Sequence, residues 1–251
     1  MGFLDGKTSI VTGAGQGVGR GIALALGDEG ARVVVAGRTL GKLAVTVDHI
    51  QERGGTAVAV EADVLEPADI ERLVATTLAE YSAIDILVNN AQTVPLGKLL
   101  EVDDEEFERG FRSGPLASLR LMRACHDELR GGGVVINLGS GSALRPDPDG
   151  LGAYAAIKEA TRMLTRAAAW EWGPMGIRVL NIVPLAASPG MEWWKENFSD
   201  EYQDMLSSVP LGRVGDCETD IGRAVAWMCG PDAGYMTGST IMLDGGQGWL
   251  R

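Results

Sequence analysis

Seven short apolar runs, separated by stretches of helical spacing, constrain this chain more than any other feature of its sequence. The runs are Thr8–Val11, Ala31–Ala36, Ala57–Glu61, Ile84–Asn89, Val134–Leu138, Arg178–Val183 and Thr240–Leu243. In Val33-Val34-Val35-Ala36 the hydrophobicity is continuous rather than alternating, which marks a strand covered on both faces. Helices are predicted between the runs at Val18–Glu29, Gly41–Arg53, Pro67–Tyr81, Asp103–Arg130, Ala153–Gly173 and Thr219–Cys229. Strands alternating with helices form parallel pairs joined by right-handed crossovers. The expected fold class is therefore α/β, a doubly wound parallel sheet of about seven strands with helices on both faces.

No internal repeat and no low-complexity linker interrupts this rhythm, so a single domain over 1–251 is expected. Only residues 186–213 break it. There Pro189, Gly190, Pro210 and Gly212 surround Met191-Glu192-Trp193-Trp194 and predict an inserted helical lobe or lid.

Charge narrows the partners. A formal net charge of −12 argues against binding nucleic acid or an anionic membrane through electrostatics. No stretch approaches the roughly 20 apolar residues of a membrane span, and no long apolar run precedes Asp5, so neither a membrane segment nor a secretory signal is expected. Cys125, Cys217 and Cys229 are an odd set without metal spacing, which suits a reducing, cytoplasmic setting. With only His49 and His126 present, a histidine-based triad or a zinc site is not expected, and no metal is assigned.

The first strand–helix turn reads Thr12-Gly13-Ala14-Gly15-Gln16-Gly17-Val18-Gly19. A strand, a glycine-rich bend and a helix N-terminus make an anion site, because unpaired N–H groups and the helix dipole point at the bend. The usual G-x-G-x-x-G pattern has no reading frame here; the pattern present is T-G-x-x-x-G-x-G. Further along come Asn89-Asn90-Ala91 after the fourth strand, Asn137-Leu138-Gly139-Ser140 after the fifth, Tyr154-x-x-x-Lys158 opening a helix, and Thr237-Gly238-Ser239-x-x-x-Leu243-Asp244-Gly245-Gly246 near the end. In this order and spacing the motifs resemble the short-chain dehydrogenase/reductase family from Lys7 to Gly246, and imply its Rossmann-like fold.

Elementary chemistry agrees with that resemblance. Tyr154 and Lys158 lie one turn apart on a helix face. A phenol with a pKa near 10 is a poor base at neutral pH, and a neighbouring ammonium lowers that value. Tyr154 is thus expected to exchange a proton with a substrate oxygen while hydride moves between substrate and nicotinamide. The resemblance implies that Lys158 also holds the nicotinamide ribose. Ser140 is expected to hold and polarise the substrate oxygen, with Ser142 its rival. Gly13, Gly17 and Gly19 clear the way for the pyrophosphate and adenosine ribose, and Gly15, Gln16 and Val18 complete that expected cofactor loop. Asp63-Val64 resembles the adenine-contacting pair, and Asn89, Ala91 and Pro184 occupy further cofactor positions.

At the end of the second strand an acid would bind the ribose 2′-hydroxyl of NAD. Gly37-Arg38 stands there instead, and a guanidinium suits a 2′-phosphate, so NADP(H) is expected over NAD(H). The departures from the family pattern lie near the nicotinamide. Gln92 follows Asn89-Asn90-Ala91 where the family has glycine, and is expected near substrate. Ser113 stands for the family's proton-relay asparagine, beside a Gly114-Pro115 pair expected to distort its helix. Leu185 follows Pro184 in place of glycine, Leu180 replaces a common asparagine, and Ser188 is near the carboxamide-contacting position.

Trp193 and Trp194, with Met191, Phe198, Tyr202 and Met205, suit an apolar ketone, aldehyde or alcohol, or else pack the lobe on its own domain or a neighbouring subunit. Arg145 either meets a substrate carboxylate or pairs with Asp147. The long helices and Ala167-Ala168-Ala169-Trp170 imply a homotetramer or homodimer, as is common in the family. The reading is an NADP(H)-dependent oxidoreductase acting on a small-molecule carbonyl or alcohol. The alternatives are an NAD(H)-dependent alcohol dehydrogenase of the same family and a cofactor-binding protein with little turnover.

Overall fold

The computed structural model describes residues 2–144 and 150–248. Arg145 and Asp147, and the tail from Trp249, lie outside the described residues. Seven strands form one sheet: β1 Thr8–Thr12, β2 Arg32–Gly37, β3 Thr56–Glu61, β4 Ile86–Asn89, β5 Val134–Leu138, β6 Arg178–Pro184 and β7 Thr240–Leu243. All described pairings are parallel, in the order β3-β2-β1-β4-β5-β6-β7. The expected sheet and its strands are thus present, with ends shifted by one or two residues.

Continuous hydrophobicity along the strands feeds two cores, one on each face. Val33, Val35, Val88, Ile136 and Ile182 pack against helix α1 (Gly17–Asp28) and its neighbours. Ile10, Val34, Leu87, Val135 and Val179 pack on the opposite face. Each such side chain contributes about 1.5–3 kcal/mol by leaving water. Helices α2 (Leu40–Glu52) and α3 (Pro67–Tyr81) follow the predicted segments closely.

The segment expected as one helix over Asp103–Arg130 is broken. It runs as α4 (Asp104–Phe111), a π turn (Arg112–Leu116), α5 (Ala117–Ala124) and α6 (His126–Leu129). Pro115 has no N–H and its ring crowds the preceding turn, so the backbone widens, and Ala117 N–H donates back to Arg112 O. Position 115 would serve the Gly110 carbonyl in a turn of this width; the Ser113 hydroxyl donates to that carbonyl at 3.2 Å instead.

Helix α7 (Gly152–Trp172) leads into β6. After β6, the irregular segment folds as α8 (Pro189–Asn197) and α9 (Ser199–Ser207). A second π turn (Cys217–Gly222) opens the helix predicted at Thr219, started early by Asp216, whose carboxylate accepts from Glu218 N–H and Thr219 N–H. Helix α10 (Arg223–Cys229) continues it. No described helix is long and apolar enough to cross a membrane.

Candidate active site

The chain's direction across the sheet reverses between β1 and β4, and their carboxyl ends form the crevice where ligands of open α/β sheets bind. Thr12 staples this crevice together. Its buried hydroxyl donates to Val88 O and accepts from the N–H groups of Asn90 and Ala91 at 3.0 and 3.1 Å. Asn90 returns the link, donating from Nδ2 to Thr12 O at 2.8 Å and Gly13 O at 3.2 Å. Neither Thr12 nor Asn90 was assigned a role from sequence, although both stand inside the motifs that were.

The glycine loop is built for close approach. Gly13 and Gly17 sit at φ +65° and +56°, a left-handed region that costs any other residue strain. A side chain at Gly19 would overlap the Asn90 amide and Gly13 O. Gly15 faces Lys42, where a Cβ would come within 2.9 Å of the lysine Cβ. Gln16 caps α1 in an extended conformation but makes no side-chain cap, and no acid stands in the first turn. The Gln16 side chain instead accepts from Lys42 Nζ at 2.6 Å. Among the described residues, the first N–H groups of α1, from Gly17 through Val18 and Gly19, have no side-chain partner and suit a phosphate.

Beyond the loop, a cavity of about 130 Å³ is lined by Gly37, Arg38, Asp63, Val64, Ala91, Gln92, Thr93 and Ser113, among others. Arg38 is exposed, and among the described residues no carboxylate pairs with it. Asp63 is fixed locally, its N–H donating to Asp69 and its carboxylate accepting from Leu65 N–H. The structure therefore groups Gln92 and Ser113 with the residues expected to hold the cofactor. Ser113 Oγ accepts from Thr93 N–H at 3.0 Å and lies 2.7 Å from Thr93 Oγ1, besides its bond to Gly110 O. None of its described hydrogen bonds goes to Tyr154 or Lys158.

The three remaining expected groups meet at the start of α7. Ser140 follows β5, accepts from Ser142 N–H at 3.2 Å, and hydrogen-bonds the Tyr154 hydroxyl. Lys158 is buried, and its Nζ donates to Leu138 O at 2.6 Å, 5.5 Å from the centre of the Tyr154 ring. Behind them, Asn89 Nδ2 donates to Asn137 Oδ1 and Asn137 Nδ2 to Thr165 Oγ1, at 2.8 and 2.9 Å, tying β4 and β5 to α7. In the protein alone, the expected depression of the phenol pKa does not appear. Burial pushes Tyr154 up to about 12, against a smaller opposing effect of Ser140, and burial brings Lys158 down to about 7. Desolvation of both groups outweighs any help the ammonium gives its neighbour.

On the other side, Pro184 ends β6 opposite Leu243. Ser188 caps α8, its hydroxyl accepting from Met191 N–H at 3.2 Å, and its Cβ lies 3.4 Å from where a side chain on Gly17 would stand. Trp193 is 57% exposed and tilts on Phe198, while Trp194 meets the buried Tyr202 edge-on. Trp194 thus joins α8 to α9, and Trp193 packs on the residue between them. Among the described residues no cluster of His, Cys, Asp or Glu could hold a metal.

A dinucleotide fits these residues: glycines where its phosphates need backbone contact, a helix N-terminus without an acid in its first turn, and a cavity lined by the guanidinium-bearing Arg38. Residues 13–247 match the family model described as enoyl-(acyl carrier protein) reductase. The chain is 38% identical to the 12alpha-hydroxysteroid dehydrogenase of a Clostridium species, over 99% of each chain. It superposes with a TM-score of 0.92 at 30% identity on a 7 alpha-hydroxysteroid dehydrogenase complexed with NADH and 7-oxo glycochenodeoxycholic acid, covering 98% of this chain and 96% of that one. A short chain dehydrogenase from Burkholderia cenocepacia in complex with NADP gives a TM-score of 0.89 at 27% identity, covering 97% and 98%.

Proposed function

The chain belongs to the short-chain dehydrogenase/reductase family of NAD(P)-dependent oxidoreductases acting on CH–OH and C=O groups, and from that premise we propose that it interconverts a bulky apolar ketone and its alcohol using NADP(H). The observation that carries this reading is the convergence of Ser140, Tyr154 and Lys158 at the β5–α7 junction, beside a glycine loop open to phosphate. A bound nicotinamide supplies or accepts the hydride. Tyr154 gives its hydroxyl proton to the substrate oxygen on reduction and takes it back on oxidation. Ser140 orients that oxygen and, through its bond to Tyr154, the phenol as well. Lys158, held by Leu138 O, would favour the phenolate in its protonated form, which burial confines to below about pH 7 in the protein alone. Ser113 supports the site from Thr93 and the Gly110 carbonyl.

Gly13, Gly15, Gln16, Gly17, Val18 and Gly19 would cradle the phosphates, with Asp63, Val64, Asn89, Ala91, Pro184 and Ser188 along the rest of the cofactor. Arg38 would meet the 2′-phosphate. The exposed Arg38 beside Gly37, with no carboxylate partner among the described residues, supports NADP(H), whereas the NADH carried by the 7 alpha-hydroxysteroid dehydrogenase favours NAD(H) as the second reading. The apolar substrate rests on the steroid names of two relatives and on the exposed Leu96, Leu99 and Leu100, of which Leu99 covers Gly152 at the start of α7. Residues 186–213 would close over it as a lobe of one working unit. Three free thiols, none in a disulfide, support a cytoplasmic location.

Tyr154→Phe tests the chemistry. Turnover of steroid-sized ketones is expected to fall about a hundredfold to ten-thousandfold, with cofactor affinity unchanged. Arg38→Ala is expected to weaken NADPH binding about tenfold to a hundredfold and NADH binding hardly at all. Tight cofactor binding by the native protein without turnover across a ketone and alcohol panel would point to a binder instead.

A further inference from the structure

Gln92 carries a buried polar group that the protein does not satisfy. Its side-chain Nε2 is out of reach of solvent and has no hydrogen-bond partner among the described residues. An unpaired buried donor is unfavourable, so its retention calls for a partner that the fold does not supply.

The surroundings favour one. Gln92 lines the cavity that also holds Gly37, Arg38, Ala62, Asp63, Val64 and Leu65, the ends of β2 and β3. The α4–α5 break is shaped to receive the glutamine. A Cβ on Gly114 would stand 2.9 Å from Gln92 Cδ and 3.0 Å from Nε2, so only glycine leaves this notch open. The notch lies in the π turn, anchored to Thr93 by Ser113. A long flexible side chain is thereby held in place, and the soft torsion of its terminal amide can turn Nε2 into the cavity.

Resting on the dinucleotide reading above, we propose that the Gln92 amide is a hydrogen-bonding ligand of the adenosine half of the cofactor, rather than of the carbonyl substrate. Ala62, Val64, Leu65 and Ala91 supply apolar surface for a flat purine, and Arg38 a cation for a phosphate at the ribose. A terminal amide offers both a donor and an acceptor, matching a purine edge or a ribose hydroxyl.

Calorimetric binding of 2′,5′-ADP, which has neither nicotinamide nor substrate, tests the assignment. Gln92→Met keeps the bulk in the notch and removes the amide; it is expected to weaken the fragment about fivefold to tenfold. Gly114→Ala, which displaces the amide while keeping it in the chain, is expected to produce a similar loss, with circular dichroism verifying the fold of both variants. Fragment affinity within twofold of the native value in Gln92→Met, with a raised KM for ketone, would overturn the proposal and return Gln92 to the substrate. A native protein that binds NADPH or NADH but not the fragment would overturn it as well. Failure of the native protein to bind any nicotinamide dinucleotide would overturn the functional reading first, and this assignment with it.

Discussion

Burial decides the protonation of Tyr154 and Lys158. Lys158 holds its proton below about 7, against an ordinary 10.5, because a buried ammonium loses its hydration. Between those values the unfolded chain binds a proton that the folded chain does not, so stability rises with pH across this window. Relative to Lys158→Met, the native protein is expected to gain unfolding free energy from pH 7 to pH 9.5, measured by urea denaturation without cofactor. Parallel curves for the two proteins would refute the depressed ammonium. Tyr154 works in the opposite direction only above pH 10, where an unfolded phenol ionises first. The residues of this pair were legible from Tyr154-x-x-x-Lys158. Their protonation was not, because the four-residue spacing gives proximity and says nothing of the water each group loses.

At the scale of elements, α1 and the π turn over Cys217–Gly222 meet backbone to backbone. A Cβ on Gly21 would overlap the Cys217 carbonyl, and one on Gly222 would overlap Gly21 O. Neither atom belongs to a flexible side chain, so the two elements must separate to admit a methyl group. Gly21→Ala is expected to cost about 1–3 kcal/mol, read as a lower urea midpoint with an unchanged slope. An unchanged midpoint would show that the elements can part freely. Gly21 had no signal of its own in the sequence, since glycines inside a helix have the same appearance whatever they face. Gly114-Pro115 did carry a signal, an expected distortion. Its form, a widened turn with Ser113 donating to Gly110 O and Gln92 lodged against Gly114, depended on side chains about twenty residues away in the chain.

For the whole molecule, the long helices bear on assembly. Ala167-Ala168-Ala169 was expected to offer a small-residue face to a partner, but Ala168 and Ala169 are buried against the chain's own sheet. What α4 and α7 present outward is Phe107, Phe111, Met163 and Trp170, the last 88% exposed. Such aromatic surface is costly in water and suits a homotetramer or homodimer. Light scattering is expected to return two or four times the chain mass, and Trp170→Glu to shift it toward one. A native mass of only about 26.5 kDa would refute the assembly. The sequence by itself determined the parallel sheet, its strand count and the glycine loop, and it singled out Ser140, Tyr154 and Lys158, which the fold brings together. These follow from local periodicity and from short motifs whose geometry is set within a turn or two. Only the tertiary structure decided that Gln92 and Ser113 line one cavity with Arg38 and Asp63, that Thr12 and Asn90 staple β1 to β4, and that burial governs Lys158. Those outcomes depend on which distant segments the sheet order brings together, and on how much water they exclude when they meet.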